Sequence, residues 1–77
     1  ILRLIWFYNI IMKFQERLKE LRTEKKLSQM QLATNLGISQ SAIAKWELGK
    51  TEPTASAIIT IAKYFEETTD YILGVTD

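Results

Sequence analysis

The chain has 77 residues, of which 47% are hydrophobic and 25% charged, and a formal net charge of +1. This is enough for one domain with a modest core, and the composition is not that of a disordered chain. There is no cysteine and no histidine, which removes disulfides, the usual structural zinc sites, thiol chemistry and the commonest general base. A charge so close to zero does not by itself point to a polyanionic partner, so any basic footprint must come from local clustering. The absence of cysteine fits a reducing compartment, and a cytoplasmic location is expected.

Residues 1–12 differ from the rest, with only Arg3 and Asn9 polar. The run is shorter than the roughly 20 apolar residues of a transmembrane helix. No small-residue cleavage site follows it, as one would after a signal peptide. No membrane partner is therefore expected. Leu4, Phe7, Ile11, Phe14, Leu18 and Leu21 alternate at spacings of three and four, which is an apolar helical stripe. Ile, Trp, Phe and Tyr are middling helix formers, so a strand is also open for this segment. Met12 stands just before sequence of ordinary soluble character. Two readings stand side by side: residues 1–11 precede a natural start at Met12, or they form an apolar arm used in self-association. The chain is divided into an arm, 1–13, and a domain, 14–77.

The first helix of the domain is expected over residues 14–26. Phe14, Leu18 and Leu21 face inward, Asn9 is a candidate early cap, and Lys25 and Lys26 fall in the last turn, where cations suit the helix dipole. Leu27 packs inward. Ser28 and Gln31 have the spacing of a capping box for a second helix, Gln29–Leu36, and Gly37 suits the left-handed residue that stops it. Ser39 caps a third helix over residues 40–48, with Gly49 after it. Pro53 keeps Glu52 out of helix. Thr54 caps a fourth helix, Ala55–Phe65, whose inward face should hold Ile58, Ile59, Ile61, Ala62 and Phe65. Glu66 and Glu67 are read as a solvated pair. Thr68 or Thr69 caps a fifth helix over residues 70–73, in which Tyr71, Ile72 and Leu73 close the core before Gly74.

Taken in order, these pieces resemble a known family. They are residues 17–22 (Arg-Leu-Lys-Glu-Leu-Arg), Leu27-Ser28-Gln29, Leu32-Ala33, Leu36-Gly37-Ile38-Ser39, Ile43, Trp46-Glu47, Gly49-Lys50, Pro53 and residues 70–74 (Asp-Tyr-Ile-Leu-Gly). The set is similar to the helix-turn-helix proteins of the Cro and phage-repressor type, the xenobiotic response element family, over about residues 14–74. The resemblance implies an all-α, five-helix, lambda-repressor-like domain, here with an extra apolar N-terminal arm. It implies binding of operator DNA as a homodimer, with the third helix in the major groove. Self-association is expected through Tyr71, Leu73 and Val75, with the apolar arm as a further candidate.

Carried over residue by residue, the resemblance implies that Gln40, Ser41 and Lys45 read base edges. Ala44, and Ala42 beside it, would be placed to meet a thymine methyl. Gln29, Lys50, Thr51 and Thr54 are implied phosphate contacts, which position a protein without specifying sequence. Arg22 and Glu47 are implied to form an internal ion pair that orients the third helix. Gln40, Ser41 and Lys45 are then left facing out with no structural task. Relatives often carry Asn where this chain has Leu48, so a phosphate contact there is lost.

The function expected is that of a sequence-specific regulator, a repressor occupying an operator. The rival is a protein-interaction module, such as an antitoxin or adaptor using the arm. An enzymatic reading has little support, because the carboxylates and lysines form no recognisable catalytic pair. No cofactor, metal or small-molecule ligand is expected.

Overall fold

A computed structural model describes the backbone of residues 2–75 and the side chains of residues 13–75. Among the described residues the chain forms five helices and no strand: α1 (Leu2–Glu24), α2 (Gln29–Leu36), α3 (Gln40–Glu47), α4 (Ala55–Phe65) and α5 (Thr69–Leu73). Helix α1 packs against α3 and α5, α2 against α3 and α4, and α4 against α5. None of the helices is long and apolar enough to cross a membrane.

Each helix starts and stops for a local chemical reason. At α2 the capping box is complete. The Gln31 N–H donates to Ser28 Oγ at 3.0 Å, and the Ser28 N–H donates to Gln31 Oε1 at 2.8 Å. Ser39, Thr54 and Thr68 cap α3, α4 and α5 by accepting from the N–H groups of Ala42, Ala57 and Tyr71. The C-terminal ends share one device, a left-handed residue followed by an N–H that reaches back to a carbonyl five positions earlier. Glycine supplies the left-handed residue at Gly37, Gly49 and Gly74, but Lys26 and Glu66 supply it after α1 and α4, both at φ 57°. The Leu27 N–H then donates to the Arg22 carbonyl at 3.1 Å, and the Glu67 N–H to the Ala62 carbonyl at 2.9 Å.

Several expected boundaries shift as a result. Helix α1 begins at Leu2 and runs unbroken past residue 13, so Asn9 lies inside it and is no cap, and the segment is not a strand. The stripe side chains Leu4, Phe7 and Ile11 lie outside the described ones. Lys25 and Lys26 fall beyond the last turn, which carries Arg22 instead. Leu48 caps α3 and is not part of it. Gly74 closes tightly on α1, because a Cβ there would come within 2.3 Å of Lys13 Cβ.

All five helices contribute to the centre of the core. Phe14 and Leu18 (α1), Leu32 (α2), Ile43 (α3), Ile61 (α4) and Ile72 (α5) are its largest fully buried side chains. Each such burial is worth about 1.5–3 kcal/mol in transfer free energy. Leu27, Leu36, Ile58 and Tyr71 pack around this centre. Ile59 does not: it is 47% exposed, because the face of α4 that meets the core carries Ile58, Ile61, Ala62 and Phe65 at helical spacing and Ile59 lies off that stripe. At the rim, the Arg17 guanidinium lies 4.0 Å from the centre of the Tyr71 ring, and Asn35 donates to the Tyr64 hydroxyl at 2.9 Å, which joins α2 to α4.

Candidate nucleic-acid interface

Helix α3 has two faces of different character. Ile43, Trp46 and Glu47 are buried, and the Trp46 ring meets the Phe14 ring edge-on, with centroids 6.0 Å apart. Gln40, Ser41 and Lys45 are exposed on the other side, with Ala44 half-buried between them. The spacing places these four together, since positions one, four and five apart share the outer half of a helix. Ala42 is not part of that face. It packs against the core and lines a cleft of about 390 Å³ behind α3, together with Leu36, Trp46 and Ile61.

Three elements, α1, α2 and the loop between them, fix α3 through one network around Glu47. Arg22 Nε donates to Glu47 Oε2 at 2.5 Å and Arg22 Nη2 to Glu47 Oε1 at 2.9 Å, a two-pronged ion pair between α1 and α3. The third guanidinium nitrogen, Nη1, donates to the Leu27 carbonyl at 2.7 Å and so ties the loop between α1 and α2 to the same pair. Both side chains are largely withdrawn from water, at 13% exposure for Arg22 and 5% for Glu47. The hydrogen bond to Glu47 raises the Arg22 pKa above its ordinary value; burial opposes that rise and the Glu47 charge adds to it. Gln29, at the start of α2, donates from Nε2 to Glu47 Oε1 at 3.1 Å. Gln40 Nε2 in turn donates to Gln29 Oε1 at 2.8 Å. Gln40 therefore has a structural partner, contrary to the expectation that it faces out free of one. Neither the Gln29–Gln40 bond nor the Gln29–Glu47 bond was foreseen from the sequence.

The remaining phosphate candidates lie after α3. Lys50 and Thr51 are exposed in the loop, and Leu48 stands 64% exposed beside them. Thr54 is exposed, but its hydroxyl already serves as the α4 cap and lies 3.2 Å from Ser56 Oγ. What it can offer a phosphate is the free backbone N–H groups of the α4 N-terminus. No buried side-chain nitrogen or oxygen among the described residues lacks a hydrogen-bond partner.

Two short capped helices, a glycine turn between them, and a second helix buried on one side and polar on the other make a helix-turn-helix. Residues 18–72 match the family model described as helix-turn-helix. The chain belongs to that family, of the Cro and phage-repressor type. This helix-turn-helix chain is 47% identical over 63 residues to the HTH-type transcriptional activator BcrR of Enterococcus faecalis, covering 82% of this chain and 31% of BcrR. It is 33% identical over 58 residues to repressor protein C2 of Salmonella phage P22, covering 75% of this chain and 27% of C2. It thus spans less than a third of either relative. Among solved structures, the restriction-modification controller protein C.AhdI from Aeromonas hydrophila superposes with a TM-score of 0.73 at 32% identity. That match covers 80% of this chain and 94% of C.AhdI.

Proposed function

We propose that this helix-turn-helix chain is the DNA-binding part of a transcriptional regulator and that it reads an operator in duplex DNA through α3. The observation that carries this reading is the division of α3. Its buried face and the Arg22–Glu47 pair fix the helix, while Gln40, Ser41 and Lys45 stand exposed at its N-terminal half and side. A major groove admits a helix presenting such a face, and these side chains match base-edge chemistry. Gln29 is bonded to Gln40 at the start of that face, and Lys50, Thr51 and the α4 N-terminus follow α3 in the chain; these are the groups that would hold the phosphate backbone and set register.

Occupancy of the operator as a homodimer, through α5 and the exposed Val75, completes the reading, and repression by that occupancy is its regulatory sense. BcrR is an activator and C2 a repressor, so a promoter–reporter measurement decides the sign for this chain.

In vitro selection of duplex DNA with the full chain tests the reading. A selected site with two-fold symmetry is expected, and recovery of no sequence above background would overturn it. Gln40→Ala should flatten the preference at one base-pair position per half-site and cost about 1–3 kcal/mol on the selected duplex. A selection profile identical to wild type would remove Gln40 from the reading set. Lys50→Ala should weaken every duplex alike and reduce the slope of log affinity against log salt by about one. A loss confined to one sequence would contradict its phosphate role.

A further inference from the structure

The network around Glu47 runs in a fixed direction. An ionised carboxylate only accepts hydrogen bonds, whereas a glutamine amide carries an acceptor on one side and two donors on the other. Glu47 Oε1 therefore requires the nitrogen of Gln29, which lies 3.1 Å away. With its nitrogen so committed, Gln29 turns its oxygen toward Gln40. Gln40 must then offer its own nitrogen, as the 2.8 Å bond between them shows. Arg22, which only donates, holds both Glu47 oxygens and keeps the carboxylate in place. Each amide orientation thus follows from donor and acceptor chemistry along the chain of contacts, beginning at the one group that cannot donate.

This direction decides what Gln40 shows to solvent. One of its N–H groups is spent on Gln29, and one N–H and the whole oxygen remain. That pair is complementary to the major-groove edge of adenine, which offers the N7 acceptor and the N6 donor. The opposite orientation would spend the oxygen and leave two N–H donors outward, which suits the O6 and N7 acceptors of guanine. We infer that Glu47, which is buried and touches no base, sets the base preference of Gln40 in favour of adenine by fixing the polarity of the Gln29–Gln40 relay. Glu47 is then a positioning residue for recognition as well as one half of a structural pair. The remaining N–H of Gln29 suits a phosphate oxygen, and since either orientation of the amide leaves one such N–H, it is Glu47 and not the phosphate that fixes the polarity. The inference rests on the DNA-binding reading above.

The measured quantity is the ratio of affinities for two duplexes that differ only in adenine or guanine, at the base pair whose preference Gln40→Ala abolishes. Wild type should favour adenine by about tenfold or more. Arg22→Met/Glu47→Leu removes the acceptor without leaving a buried charge and should bring the ratio within about threefold of unity. Arg22→Met/Glu47→Gln, whose amide is free to turn either way once the arginine donors are gone, should level the ratio too and carries the test if the first double variant does not fold. Adding Gln29→Glu to either double variant sets an acceptor-only group directly against Gln40. It should restore the adenine preference even though both duplexes bind more weakly. A ratio held at the wild-type value in the folded variants, with equal loss on both duplexes, means that Glu47 is structural only and overturns the inference. A wild-type chain that selects no site overturns the DNA-binding reading itself.

Discussion

Arg22→Met is expected to destabilise the domain by about 3–5 kcal/mol, the cost of breaking a buried ion pair from one side. The exposed version of such a pair is worth only about 0.2–1 kcal/mol, so burial decides the size. Here the Glu47 side chain is 5% exposed, and Arg22 supplies two of the three hydrogen bonds that its carboxylate receives. Methionine keeps the length of the side chain but leaves Glu47 with Gln29 alone and takes the donor away from the Leu27 carbonyl. A domain of this size has a total stability of about 4–12 kcal/mol, so the variant should sit near the edge of unfolding at room temperature. Its melting temperature should fall by roughly 12–40 °C. Thermal unfolding followed by circular dichroism checks this, and a fall of only a few degrees would show that the pair is solvent-screened. Arg22→Met/Glu47→Leu should recover most of the loss, because buried pairs replaced by apolar groups are often neutral. The raised pKa of Arg22 stabilises the fold fully below the ordinary arginine range and is lost only as pH rises beyond it. Arg22 therefore adds no pH dependence near neutrality.

The parts of this architecture that were legible in the sequence are those where one residue type answers one local demand. Ser28 with Gln31, Ser39 and Thr54 are caps because a short side-chain oxygen is what a free N–H at a helix start needs. Gly37 marks the turn because a left-handed residue without a Cβ is unstrained there. The end of α1 was not legible, because Lys26 takes the left-handed conformation and nothing in a lysine announces it; Glu66 hides the end of α4 in the same way. The extension of α1 back to Leu2 was obscured by the weak helix propensity of its aromatic and β-branched residues, although the three-and-four spacing through Phe14 and Leu18 pointed to it. Ile59 is apolar yet exposed, because the phase of the helix, not apolar character alone, decides which residues reach the core. In the interface, the residue types of Gln40, Ser41 and Lys45 and their place on α3 could be read. The bond from Gln40 to Gln29 could not, since it joins residues eleven apart across a turn whose angle no periodicity encodes. That bond depends on the packing of α2 against α3, and so on the core beneath both.

Phe14 anchors that core, and Phe14→Ala is expected to cost about 3–5 kcal/mol. The ring is 1% exposed and lies edge-on to Trp46 at an interplanar angle of 75°. Truncation loses the transfer free energy of the ring and leaves a cavity between α1 and α3, which the surrounding helices can close only in part. It also removes an aromatic contact worth about 0.5–1.5 kcal/mol beyond its area. Phe14→Leu keeps most of the volume and should cost far less. Urea unfolding by circular dichroism measures both, and a midpoint for Phe14→Ala close to that of Phe14→Leu would show that the site collapses around the smaller side chain. The position matters for recognition as well as stability. Trp46 and Glu47 are neighbours on the buried face of α3, so a cavity beneath Trp46 loosens the helix that carries Glu47 and Gln40. At a temperature where Phe14→Ala is still folded, its discrimination between selected and mismatched duplexes should fall before its affinity for unrelated DNA does. Base-edge contacts need the helix held in place, whereas phosphate contacts act at longer range and tolerate its movement.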